Sequence, residues 1–190
     1  MSKRNNQKAA LAKSFLKDQK LGLCHDNAVL KEHPLAITYS SALTSLGALA
    51  SQKKNHGRPG QFSADIEVMD LDRCEHERCT QLGCSPQKTA DAVAGLSNRK
   101  LLIIELKLGV MRGKCITQDS LLDKFNYSRN LLGCDGKYLG GIYPKFLLVL
   151  PSIDGHSVMM SNIIRALAGS NELKNKCAVT TPKGFSDNLS

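Results

Sequence analysis

The spacing of apolar positions along this chain predicts its elements. Lys100-Leu101-Leu102-Ile103-Ile104-Glu105-Leu106-Lys107-Leu108 is a run of leucine and isoleucine with two charges inside it. Such a run, without a turn residue, predicts a buried central strand. Side chains alternate faces along a strand, so Glu105 and Lys107 are expected on the same face. Phe62 to Leu71 alternates instead: Ile66, Val68 and Leu71 mark a strand, with Ile66 and Val68 on one buried face and Asp65 and Glu67 on the other. Lys145 to Leu150 predicts a second buried strand, stopped by Pro151, and Cys177 to Thr180 a last short one.

Helical spacing fills the intervals. Asp26 suits the cap of a short helix from Asn27 to Glu32, ended by Pro34. Ser40 or Ser41 is expected to cap a second helix, in which Leu43, Leu46 and Ala50 share a face. Gln118 to Leu132 places Leu121, Leu122, Phe125 and Leu132 on one face, with Gly133 suited to the position past the end. Met160, Ile163, Ile164 and Leu167 mark a later helix, closed by Gly169. Between the first two strands, residues 72–98 read as a polar, cysteine-rich excursion. The strand–helix–strand order predicts a parallel crossover with helices on the sheet faces. The expected fold is therefore α/β: a mixed central sheet of about four strands flanked by helices, with a long inserted loop between the second and third core elements. Residues 1–22 read as a basic arm or helix, 23–181 as the core domain and 182–190 as a loose tail.

Composition narrows the function classes. With 190 residues and 42% hydrophobic content, the chain can build one substantial core. No run is long enough to span a membrane, and the N-terminus has no apolar signal-peptide core, so the expected location is cytoplasmic. Seven cysteines, an odd count, favour free thiols or metal ligands over a disulfide framework. Cys74, His76, Cys79 and Cys84 cluster in the excursion and are candidate Zn²⁺ ligands, with free thiols on a surface loop as the alternative. The net charge of +9 suits a polyanion, for which nucleic acid is the commonest partner. Lys53, Lys54 and Arg58 in one polar loop and Arg112 and Lys114 in another are the candidate phosphate contacts.

Burying Glu105 and Lys107 together costs several kcal/mol unless each finds a partner. If the Asp65 strand pairs with the Glu105 strand, two carboxylates come side by side. They repel, and a hard divalent cation such as Mg²⁺ relieves the repulsion. Lys107 could then orient or deprotonate a water and stabilise charge on phosphorus.

Asp65 on one strand, then Ile103-Ile104-Glu105-Leu106-Lys107 on the next and Gln118 and Tyr127 on the following helix, resembles the PD-(D/E)xK nuclease superfamily, whose fold is that of restriction endonucleases. Ala64 stands where that family often has proline, and Glu32 is the candidate for an acidic residue from the first core helix. The resemblance implies a metal-dependent nuclease that hydrolyses phosphodiester bonds in DNA. Asp65, Glu105 and the Leu106 carbonyl would hold Mg²⁺ or Mn²⁺, Lys107 would position the attacking water and Gln118 would assist. Two other readings stay open: a catalytically silent nucleic-acid-binding or assembly subunit of the same fold, and a zinc-stabilised protein–protein adaptor. A homo-oligomer is compatible with each.

Overall fold

The structure is a computed structural model describing residues 23–52, 57, 60–62, 66–109, 117–133, 140–151, 167 and 170–188. Its frame is a mixed seven-stranded sheet: β1 (Leu43–Ser45), β2 (Glu67–Asp70), β3 (Ala92–Gly95), β4 (Lys100–Leu106), β5 (Gly141–Ile142), β6 (Phe146–Val149) and β7 (Cys177–Thr180). The order across the sheet is β1-β2-β3-β4-β6-β7, with β5 on the β6 side of β4. The first four strands pair antiparallel, whereas β4, β6 and β7 run parallel. The sheet is larger than the expected four strands because β1, β3 and the two-residue β5 come from segments whose small and polar residues hid their strand character.

Among the described residues, seven α-helices accompany the sheet: α1 (Asn27–Lys31), α2 (Pro34–Thr38), α3 (Leu46–Ala50), α4 (Leu71–Leu82), α5 (Gln118–Gly133), α6 (Asn171–Lys176) and α7 (Pro182–Asn188). Asp26 caps α1 through its carboxylate, which accepts from the Ala28 amide at 2.9 Å. Pro34 opens α2 instead of merely ending α1, since its missing N–H costs nothing at a first helical position. His33 ties this corner together: Nε2 donates to the Leu132 carbonyl at 2.9 Å and Nδ1 accepts from the Leu35 amide. The helix expected after Ser40 or Ser41 is divided. A 3-10 turn and β1 occupy Ser40–Ser45, and the Ser45 hydroxyl caps α3 by accepting from the Ala48 amide.

Side-chain alternation divides the sheet into two faces. Leu101 and Ile103 join Val93, Phe146 and Leu148 on the face covered by Leu121 and Phe125 of α5. Leu102, Ile104 and Leu106 join Val68, Ala92 and Leu147 on the other, covered by Leu46 and Leu49 of α3 and Phe185 of α7. Because both faces are covered, the apolar run of β4 is continuous, as for a central strand. The crossover from β4 through α5 to β6 is parallel as expected. Phe125 seals it, its ring 4.9 Å from that of Phe146.

Two expected irregular regions are ordered elements. The excursion 72–98 contains α4 and β3. Helix α4 buries Leu71, Cys74, Glu75 and Cys79, an i, i+3, i+4, i+8 stripe. Gly83 ends it in the left-handed conformation (φ 67°) that glycine adopts without a Cβ clash. The expected tail holds α7, whose Phe185 is fully buried and meets Phe62 edge-on at 5.4 Å. The basic arm 1–22 and the helix expected around Met160 to Ile164 lie outside the described residues.

Candidate active site

The strand that meets Glu105 carries an aspartate that sequence reading passed over. β3 pairs antiparallel with β4, with Ala92 opposite Ile104. Asp91, one residue before β3, therefore comes level with Glu105. A tight turn joins the two strands. Leu96 and Lys100 bracket it, and Arg99 takes a positive φ of 59°. The expected pairing of the Asp65 strand with β4 does not form, because β3 lies between β2 and β4. β2 also runs so that its C-terminal Asp70 is opposite Ala92, leaving its N-terminal Glu67 toward the other end. Asp65 itself lies outside the described residues.

Four charges converge where β4 ends. Asp91 and Glu105 are buried, with 5% and 1% exposure. Asp91 Oδ2 accepts from the Leu106 amide at 2.6 Å, which locks its carboxyl against the end of β4. Glu105 is held by Lys107 on its own strand, through Oε1, and by Lys124 of α5. The Lys124 ammonium donates to both carboxylate oxygens, at 2.8 and 3.1 Å. The shared face of Glu105 and Lys107 is thus the face covered by α5. Two carboxylates and two ammonium groups balance, which is how the strand tolerates charge at its buried end.

The balance is uneven within the cluster. Burial first, and then the Glu105 carboxylate, push Asp91 up to about 7; Lys124, Lys107 and the Leu106 amide oppose this without cancelling it. Burial alone would pull Lys124 down, but the Glu105 and Asp91 carboxylates outweigh it and hold its ammonium charged. Asp72 of α4 acts in the same direction on Lys124.

Polar side chains from both neighbouring helices strap the 84–91 segment that delivers Asp91. Glu75 is fully buried and accepts from the Gln87 amide at 3.1 Å and the Tyr127 hydroxyl at 2.6 Å; Arg78 pairs with it at 2.8 Å. Burial would raise Glu75, but these donors and the Cys79 thiol hold it down at about 2. Asp72 accepts from the Thr89 hydroxyl at 2.6 Å, and Ser128 of α5 accepts from the Ala90 amide at 2.8 Å. Tyr127 therefore braces this segment, whereas the α5 side chain that reaches Glu105 is Lys124. Gln118 stands half-buried in the first turn of α5.

Other expected site residues are dispersed. Glu32 is exposed and pairs with Arg99, away from Glu105. Lys53, Lys54, Arg58, Arg112 and Lys114 lie outside the described residues. Of the zinc candidates, Cys74 and Cys79 are buried on α4, His76 is exposed on the same helix and Cys84 is exposed beyond its end. The Cys84 thiol sits 2.8 Å from Cys79 Sγ. Burial and the Glu75 carboxylate push the Cys74 thiol up to about 12. Among the described residues, no group of three His, Cys, Asp or Glu side chains is arranged to hold a metal. Asp91 and Glu105 still fit Mg²⁺ or Mn²⁺ chemically, because a hard cation needs only one or two carboxylates when water or substrate completes its shell.

Asp91 and Lys124 had readable signals. Asp91 opens an apolar stretch, Ala92 to Leu96, which ends at the polar Ser97-Asn98-Arg99 and leads into β4: a hairpin pattern obscured by alanine and glycine. Lys124 is three residues after Leu121 and four before Ser128, on the stripe that the helix buries. Among the described residues, no helix is long and apolar enough to cross a membrane. No protein-family model matches this chain, and no curated protein or solved structure matches it either.

Proposed function

We propose that the chain is a metal-dependent phosphodiesterase acting on nucleic acid, DNA in the first instance, with Asp91 in the role that sequence reading gave to Asp65. One observation carries this reading: Asp91 and Glu105 stand level on adjacent strands at the end of β4, with Lys107 on the face of Glu105. The order Asp91, then Glu105-Leu106-Lys107, then α5, keeps the pattern of the resemblance and shortens the distance between its parts. The end of a parallel strand beside a crossover is also where open α/β sheets place their ligands.

Asp91 and Glu105, with the Leu106 carbonyl, would hold Mg²⁺ or Mn²⁺, which supplies Lewis acidity toward a phosphoryl oxygen and acidifies bound water. The protein's contribution is positional. The Leu106 amide fixes Asp91, and β4 fixes Glu105 and Lys107 relative to each other. Lys107 is the group suited to orienting the attacking water or stabilising charge on phosphorus. The net charge of +9 favours a polyanionic substrate and predicts binding that weakens steeply with salt.

The test is incubation of supercoiled and linear DNA, and of single-stranded RNA, with Mg²⁺ or Mn²⁺. Asp91→Asn, Glu105→Gln and Lys107→Ala should each lower cleavage by about a hundredfold or more. Cleavage that survives all three, or none by the wild type with either metal, refutes the proposal.

A second reading rests on Lys124. With both ammonium groups on Glu105, the cluster is electrically complete without a metal. That suits a nucleic-acid-binding or assembly subunit that keeps the fold without turnover. Salt-dependent DNA binding, with no cleavage and no metal uptake, would select it.

A further inference from the structure

We infer that Lys124 is a resident counter-ion that a divalent cation must displace, so this lysine sets the site's metal affinity; the inference rests on the metal-dependent reading above. Lys107 touches one oxygen of Glu105, whereas Lys124 takes both, at 2.8 and 3.1 Å. A cation bound to Glu105 needs at least one of those oxygens. Its positive charge would also stand within a few ångströms of the Lys124 ammonium, a repulsion poorly screened where the side chains are mostly buried.

Lys124 has somewhere to go. It reaches the site from α5 on a flexible four-carbon stem, and 19% of its side chain is exposed. Asp72, on the neighbouring α4, already attracts it and is only half-buried. Metal entry would therefore exchange one partner of Glu105 for another. The ammonium would be left beside the place where a phosphate's negative charge arrives. Before the metal binds, Lys124 and Lys107 together balance the two buried carboxylates, which is how the fold survives without the metal.

The experiment measures Mn²⁺ affinity by calorimetry on the full chain without nucleic acid, for wild type, Lys124→Met and Lys124→Gln. Removing the competing charge should tighten Mn²⁺ binding by about tenfold or more. The two variants should melt below wild type without metal and gain more from saturating Mn²⁺. The glutamine variant keeps a hydrogen-bonding side chain, so it reports on charge if methionine prevents folding. In wild type, the Lys124 ammonium NMR resonance should shift as Mg²⁺ is added. Unchanged or weaker Mn²⁺ binding by both variants, or a Lys124 resonance that ignores Mg²⁺ while the protein binds it, overturns the inference and leaves the metal-dependent reading standing. An absence of metal binding by wild type and variants alike overturns both.

Discussion

Asp91 makes the site a local weakness of the fold, and Asp91→Asn measures it. An unfolded aspartate titrates near 3.8, whereas burial and the Glu105 carboxylate raise Asp91 to about 7 in the folded chain. A raised folded value means that the native state holds its proton more tightly than the unfolded state does. Its stabilising effect is complete below about pH 3.8 and is lost as the pH climbs through 7. Each pKa unit is worth about 1.4 kcal/mol, so the shift sets a ceiling of about 4 kcal/mol on what ionising Asp91 takes from the fold. Asparagine keeps an oxygen for the Leu106 amide and removes the charge that repels Glu105. It also removes a negative neighbour of Lys124, which recovers less than the ceiling. The expected gain is about 1–3 kcal/mol at pH 8, or several degrees in Tm for a chain of this size, shrinking toward zero near pH 4. Denaturant unfolding of both proteins from pH 4 to 8 tests this. A variant that is less stable at pH 8, or a difference that does not change with pH, refutes the argument. A variant that gains stability and loses cleavage would show that the carboxylate is kept for chemistry.

Three further outcomes follow from contacts around the site and the core. Ser128→Ala leaves the buried Ala90 amide without its acceptor and should cost about 1–3 kcal/mol in denaturant unfolding; a change below 0.5, about the scatter of a neutral surface substitution, would mean that the strap is unimportant. Glu75→Gln tests the second strap: the carboxylate's depressed value means its stabilisation is present above about pH 4.5 and is lost as pH falls through 2. The variant should therefore be weaker by about 1–3 kcal/mol at pH 7, with the difference fading in acid; an equal difference at pH 3 and pH 7 would contradict this. Phe185→Ala, in the segment that reads as a loose tail, should cost about 3–5 kcal/mol and lower Tm; an unchanged Tm would mean that α7 does not close the sheet.

The legible parts of the fold were those with one strong local pattern. β4 and β6 are apolar on both faces, so they could be read directly, and α5 could be read from Leu121, Phe125 and Leu132. β3 was hidden because alanine and glycine carry little strand preference. Gly95 serves the close approach of α1: a Cβ there would come within 2.3 Å of the Asp26 carbonyl. Helix α4 was hidden because its exposed face is strongly polar, and its buried Cys74 and Cys79 read as zinc ligands before they read as packing. α7 was hidden because Phe185 is a single apolar residue among polar ones.

By itself, the sequence determined that Glu105 and Lys107 share a face of a buried strand, since alternation along an extended chain is a local property. It also determined that a crossover helix follows, since helical spacing and a parallel return are short-range patterns. Only the tertiary structure decided which carboxylate stands beside Glu105. That depends on strand order, and the insertion of β3 between β2 and β4 made the neighbour Asp91. It likewise decided that a second lysine, Lys124, closes on Glu105, because the reach of a side chain across a helix–sheet interface depends on how α5 docks. Local spacing put Lys124 on the buried stripe of α5 and Asp91 at the start of an apolar stretch, but which charges meet is decided by packing. The chemistry at the end of β4 therefore became readable only once the sheet was assembled.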